Sequence, residues 1–298
     1  MSFLYEKNEQ TAPGTNGPGI TVTGYDGDVI HLQIPDQIEG MPVLGVAPWA
    51  FANRASLEYV SLPDTLRTLS RFAFYSCRNL KKVLLGDAIA DYGDGVFRQC
   101  HSLSELELRL SGGHFGVLRE ILADTDRTLR FVLHLPDGEA CLTFPEYLAE
   151  HEEDTRARQM HYHIEGLGYS YRECVTSAGI DFRSYDRLFP RIRQDERRQA
   201  ARIAMDRLLY PYALTEDAGD LYREFLRENA AEVLHQAIEN HRLDWLILLT
   251  DQQLADPDSL ESAIQYAAER KEPEYVSLLM RANVTGDGSL SHFPTFEI

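Results

Sequence analysis

The 298-residue chain holds little that would point to chemistry. Four cysteines are too few, over this length, for the disulfide framework of a small secreted domain. No apolar run approaches the roughly 18 residues of a membrane span. The stretch Met1-Ser2-Phe3-Leu4-Tyr5-Glu6-Lys7 has neither the basic segment nor the apolar core of a secretory signal. The expectation is therefore a cytoplasmic protein with reduced thiols. Positive charge is scarce: the net charge is −18, and lysine occurs only at 7, 81, 82 and 271. The excess is spread out, with 20 acidic and 12 basic side chains in residues 1–150 and 27 and 17 in 151–298. A field of that sign repels nucleic acid and anionic membrane, so neither is an expected partner. Nucleophile motifs, telling carboxylate pairs and phosphate loops are missing too. The chain thus reads as non-enzymatic, with no catalytic residue, cofactor or metal assigned.

What is present is repetition. Phe51, Phe74 and Phe97 are spaced by 23 residues, and each is followed at the same offset by L-x-x-L/V-x-L: Leu57 to Leu62, Leu80 to Leu85 and Leu103 to Leu108. A fixed period in this range marks a solenoid of the leucine-rich type. Within each unit the apolar residues alternate, which places them on one side of a short strand. Stacked strands form a parallel sheet with Val60, Val83 and Leu106 in one buried column and Leu62, Leu85 and Leu108 in the next. The pairs Ala50-Phe51, Ala73-Phe74 and Val96-Phe97 close the core from the opposite wall. Leu66/Ile89 and Val46/Leu69/Tyr92 form a third. Ile20 to Thr23, the turn Gly24-Tyr25-Asp26-Gly27 and Val29 to Ile34 read as a capping hairpin. Leu133-His134-Leu135 reads as a further strand, 27 residues after Leu106, beyond an irregular connection with a helix near Val117–Leu122. Asp137-Gly138 then turns into Ala140 to Phe144.

These residues resemble the BspA-like leucine-rich repeat family. The resemblance lies in Ile34-Pro35, Ile38-Glu39-Gly40-Met41-Pro42-Val43, Ala50-Phe51 and the A-F-x-x-C unit of Ala73 to Cys77, and it covers about 20–110. It implies a parallel-stranded solenoid that binds other proteins or host surfaces. Cys77 and Cys100 occupy one repeat slot, held by Arg54 in the first unit, and read as small buried side chains rather than ligands. Asp91 to Gly95 lacks the spaced ligands of a calcium loop and is a repeat connection.

The middle segment, 146–194, reads as a connection. Glu146 to Arg158 reads as a charged helix. In His161-Tyr162-His163 the histidines face water while Tyr162 and Ile164 point inward. Gly166 to Tyr171 lacks the third glycine and the Lys-Ser/Thr of a phosphate loop. Tyr162, Tyr169, Tyr171, Phe182, Tyr185 and Phe189 are expected to pack the junction. From 195 to 284 a second period appears, of 30 residues: Leu234/Ile264, Ala237/Ala267, Trp245/Tyr275, Leu248/Leu278 and Leu249/Leu279. It predicts helical pairs that resemble ankyrin repeats over 229–284, with a degenerate pair upstream at Glu196–Tyr210 and Ala218–Glu228. The arginines at 183, 187, 191, 193, 197, 198, 202 and 207 interleave with acids at helical spacing and read as a solvated, self-paired face. Residues 285–298 read as an extended tail.

The expected architecture is α+β: a leucine-rich solenoid over 1–145 with hairpin caps, the connecting segment, then an ankyrin-like helical domain. If Val60 and Leu62 point in, then Tyr59 and Ser61 point out, with Lys82 and Leu84, Glu105 and Glu107, and His31, Gln33 and His134. That stripe is the expected protein-binding face of a scaffold whose partner and oligomeric state the sequence leaves open. A structural or assembly role, or an adhesin role, is the alternative.

Overall fold

The computed structural model describes residues 2–8, 17–154 and 159–285, with the side chains of 149–163, 195, 284 and 285 left aside. The fold is mixed α+β and divides into two compact units, Met1–Leu188 and Phe189–Ile298.

The first unit is a β-solenoid walled by two sheets. One contains β1 (Phe3–Asn8), β2 (Gly19–Tyr25), β5 (Met41–Val46), β7 (Thr68–Leu69) and β9 (Asp91–Tyr92) in that order, with β4 (Gln37–Ile38) paired to β5. The other runs β3 (His31–Gln33), β6 (Tyr59–Ser61), β8 (Lys82–Gly86), β10 (Glu105–Arg109), β11 (Leu129–Leu135) and β12 (Gly138–Phe144). The strands from β3 to β11 are parallel, and β12 returns antiparallel. Val60, Val83 and Leu106 are in register and wholly buried, as the 23-residue period requires. The Val46, Leu69 and Tyr92 positions form a matching ladder in the first sheet.

Between the sheets the phenylalanines stack. Phe51 and Phe74 lie 5.2 Å apart at 8°, and Phe74 and Phe97 lie 5.7 Å apart at 17°. Such pairs contribute about 0.5–1.5 kcal/mol each beyond their burial. The slot three residues on works by reaching back one repeat. Cys77 Sγ donates to the Phe51 carbonyl and Cys100 Sγ to that of Phe74, each at 3.1 Å. In the first repeat the unit behind is the N-terminal cap. There Arg54 fills the slot and donates to the carbonyls of Gly27 and Tyr25, each at 2.6 Å.

Several local expectations are corrected. Residues 20–34 do not form a hairpin: β2 pairs with β1, and the chain crosses at Asp26–Ile30 into the other sheet, where β3 pairs with β6. After β10 the offset is 25 rather than 27, since Leu106 pairs with Phe131. The connection holds α1 (Gly116–Ala123), and β11 begins at Leu129, so His134 pairs in backbone register with Arg109. Glu146 to Arg158 is not a helix. Its residues Leu148–Asp154 are β13, paired antiparallel with β14 (Gln159–Glu165). The stretch has no apolar stripe of helical period to bury, and the strand after it supplies a pairing partner. Ile164 is 42% exposed rather than buried, while the side chains of His161, Tyr162 and His163 lie outside those described. The tail reading for 285–298 lies outside the described residues except for Thr285, which closes the last helix.

The unit ends with α2 (Gly168–Arg172), β15 (Val175–Thr176), β16 (Gly179–Ile180) and α3 (Phe182–Arg187). Gly168 is glycine for want of space: a Cβ there would stand 2.2 Å from the Pro145 carbonyl oxygen. Tyr171 and Tyr185 pack edge to face, and Tyr185 does the same against Phe144.

The second unit is helical: α4 (Phe189–Asp195), α5 (Arg197–Leu209), α6 (Glu216–Glu228), α7 (Ala230–Glu239), α8 (Leu243–Asp251), α9 (Pro257–Glu269) and α10 (Pro273–Thr285). Thr215 and Asp256 cap α6 and α9 by accepting from the N–H groups of Ala218 and Ser259. Trp245, Leu249, Tyr275 and Leu279 are buried. The 30-residue period also appears in the backbone. α7 and α9 both end in a left-handed residue, His241 (φ 51°) and Lys271 (φ 61°). The next N–H then reaches back five residues, from Arg242 to Ala237 and from Glu272 to Ala267, which is the Schellman arrangement. The arginine run is not one solvated, self-paired face. Asp206 and Arg207 are fully buried, and Arg198 and Arg193 pair with Glu239 and Glu224 on other helices.

Candidate protein-interaction face

The β3–β12 sheet brings the sequence-predicted stripe together. Its pairing sets His31, Tyr59, Lys82, Glu105 and Arg130 in one outward row, and Gln33, Ser61, Leu84, Glu107 and Val132 in the next. His134 belongs to a third row with Arg109.

The face has two halves of different chemistry. Over β8, β10 and β11 it is a lattice of ion pairs. Lys82 Nζ lies 2.9 Å from both Glu105 and Glu107, and Arg130 lies 3.0 Å from Glu105. His134 stands between Glu107, 2.9 Å from Nε2, and Glu139, 2.8 Å from Nδ1. Both ring nitrogens can donate to these carboxylates only in the imidazolium form. Burial alone would raise the pKa values of Glu105 and Glu107, but Lys82 and the other cations outweigh it and hold both below the usual carboxylate range. Burial opposes the charge on Lys82, and the two carboxylates more than restore it.

Over β3 and β6 the face is uncharged. His31 and Tyr59 meet edge to face at 5.9 Å, Gln33 is exposed, Ser61 and its β8 neighbour Leu84 are half-buried, and Ile30 beside them is 57% exposed. The sheet is closed at its far edge. Tyr185 Oη accepts from the Thr143 N–H and donates to the Thr143 carbonyl, which occupies the free side of β12.

A second aromatic group escaped the sequence reading. Trp49 is 48% exposed; it stacks on Phe72 at 4.6 Å and meets Tyr75 edge to face at 5.3 Å. Trp49 and Phe72 both have positive φ, as does Gly95 one repeat later. The signal was available as a 23-residue column, 49, 72 and 95, whose third member is the glycine a left-handed backbone favours. Among the described residues, no group of three or more His, Cys, Asp or Glu gathers as metal ligands, and no helix is long and apolar enough to cross a membrane.

Residues 29–115 match the BspA type leucine rich repeat region, in six copies. No curated protein matches the chain. Among solved structures, a leucine rich repeat protein of T. pallidum is 26% identical, with a TM-score of 0.23, over 45% of this chain and 80% of that one. Leucine-rich repeats generally mediate protein–protein interaction and are typically non-enzymatic scaffolds.

Proposed function

We propose that the chain is a protein-interaction scaffold whose leucine-rich solenoid engages a partner through the uncharged half of the β3–β12 sheet. The observation that carries this is the division of the face. Lys82, Glu105, Glu107, Arg130 and His134 satisfy one another. His31, Tyr59, Leu84 and exposed Ile30 offer aromatic and aliphatic surface with no charge to desolvate. Interface centres are depleted in charge and enriched in aromatic residues, with a polar rim. The ion-pair lattice is that rim. The helical pairs of the second unit, with their 30-residue period of buried Trp245 and Tyr275 and their repeated Schellman ends, favour an ankyrin-like array as a further binding module. The four cysteines are all buried in the fold, which fits a reducing, cytoplasmic setting.

The test is quantitative capture from native lysate by the wild-type chain and by Tyr59→Glu/Leu84→Glu. Proteins held by the wild type should be lost from the double variant and retained by Lys81→Glu, which alters an exposed charge beside the face. An unchanged capture profile removes the proposal.

A further inference from the structure

The outer turns of the solenoid form a one-way hydrogen-bond ladder. The N–H groups of Phe51 and Asn53 donate to the carbonyls of Ala73 and Tyr75 in the next repeat. Those of Phe72, Phe74 and Ser76 donate to Asp94, Val96 and Arg98 in the repeat after that. The last turn therefore presents N–H groups with no successor. Asp124, from the end of α1, supplies part of the missing acceptor. Its carboxylate takes the Gly95 N–H at 3.0 Å and the Tyr92 hydroxyl at 2.8 Å, and faces the N–H groups of Val96 and Phe97. Gln99, the left-handed equivalent of Asn53 and Ser76 (φ 64°), has no acceptor for its N–H among the described residues.

A cavity of about 500 Å³ lies there, lined among others by Gln99, Arg98, His101, Arg127 and Tyr147. The side chains of Arg98, His101 and Arg127 are exposed and enter no ion pair among the described residues. Beneath Tyr147 lies Arg172, its guanidinium 4.8 Å from the ring centroid. Arg172 is buried and donates to the carbonyl oxygens of Leu122, Thr125, Arg127, Pro145 and Gly168. Two arginines and a histidine thus line the cavity against Asp124, already engaged, and Asp126, in a chain of net charge −18.

We infer that this end of the ladder is a second binding site, separate from the sheet face, that takes an extended acidic peptide segment of a partner protein. A carboxylate or carbonyl oxygen of the segment accepts from the Gln99 N–H, where a further repeat would place one, and its acidic side chains lie among Arg98, His101 and Arg127. Asp124 already shows that a carboxylate fits the ladder. The cavity is also larger than a single inorganic anion needs and suits a few residues of extended chain.

The test is fluorescence anisotropy with a labelled hexaglutamate peptide and the full chain at about 150 mM salt, where long-range charge effects are screened. Saturable binding is expected, with none to hexaglutamine. Arg98→Glu/Arg127→Glu should weaken it by about tenfold or more, as loss of a complementary charge pair does, at an unchanged melting temperature. Arg127→Gln should weaken it less. Tyr59→Glu/Leu84→Glu should leave it intact, so the two surfaces stand or fall separately. Absence of hexaglutamate binding, binding undiminished by the charge reversals, or binding of inorganic phosphate but not of the peptide would each overturn the inference.

Discussion

The thiol of Cys77 donates to the carbonyl of Phe51, 26 residues earlier, at 3.1 Å. One short side chain thereby fixes the spacing of two repeats and fills the gap beside two stacked rings. The neighbouring Cys77 thiol and burial both push the Cys100 thiol upward, so Cys100 is a neutral thiol rather than a reactive thiolate. Cys77→Ala should cost about 1–2 kcal/mol, from a small void and an unpaired carbonyl. Cys77→Val, which keeps volume and loses the donor, separates the two contributions. The midpoint of urea denaturation measures both. Two variants as stable as the wild type would show that the thiol bond holds nothing.

The Lys82 lattice predicts a dependence on pH. Glu105 and Glu107 are held below the ordinary carboxylate range, burial opposing and Lys82 prevailing. A carboxyl with a lowered folded-state pKa contributes stability that is fully present above its unfolded value, about 4.5, and is lost as pH falls through the folded value. Lys82→Ala should cost no more than about 1 kcal/mol at pH 7, because the group is one-third exposed and screened. It should also flatten the loss of stability below pH 4.5, with Arg78→Ala, at an exposed cation that enters no ion pair among the described residues, as the control. Parallel stability–pH curves for wild type and Lys82→Ala would count against the lattice.

Lys271 and His241 sit in the left-handed position that closes α9 and α7. An L-residue is strained there and glycine is not. Lys271→Gly and His241→Gly should each stabilise the chain by about 0.5–1 kcal/mol, in contrast to the loss expected of glycine within a helix. Thermal melts decide it, with Glu269→Gly, inside α9, as the destabilising comparison.

The legible parts of this fold are those where spacing carries the physics. Phe51, Phe74 and Phe97 share one environment, so their period exposed the wall, the columns and the outward stripe together. Arg54 could be seen to break the cysteine slot, but its purpose could not, because the cap it reaches is β1–β2 rather than the hairpin its turn residues suggested. The register of β11 was hidden by α1, whose length belongs to no repeat. Strand β13 was hidden by its charges, which resemble an exposed helix until β14 is seen beside it. Asp124 and Arg172 were invisible for a simpler reason. Their side-chain hydrogen-bond partners lie 27 to 50 residues away along the chain, apart from Gly168, and no local pattern ties a capping carboxylate to turns so distant.

The directionality of the turn ladder bears on how such a chain can change in length. Each turn hands its amide hydrogens forward, so every interior unit offers the same acceptors on one side and the same donors on the other. In the turn ladder, among the described residues, Arg54 and Asp124 are tailored to an end. A 23-residue block cut or duplicated between Asn53 and Ser76 meets matching groups at both joins. Lengthening this solenoid is then a matter of copying a segment, with neither terminus redesigned and with the sheet face widened by one strand at each copy.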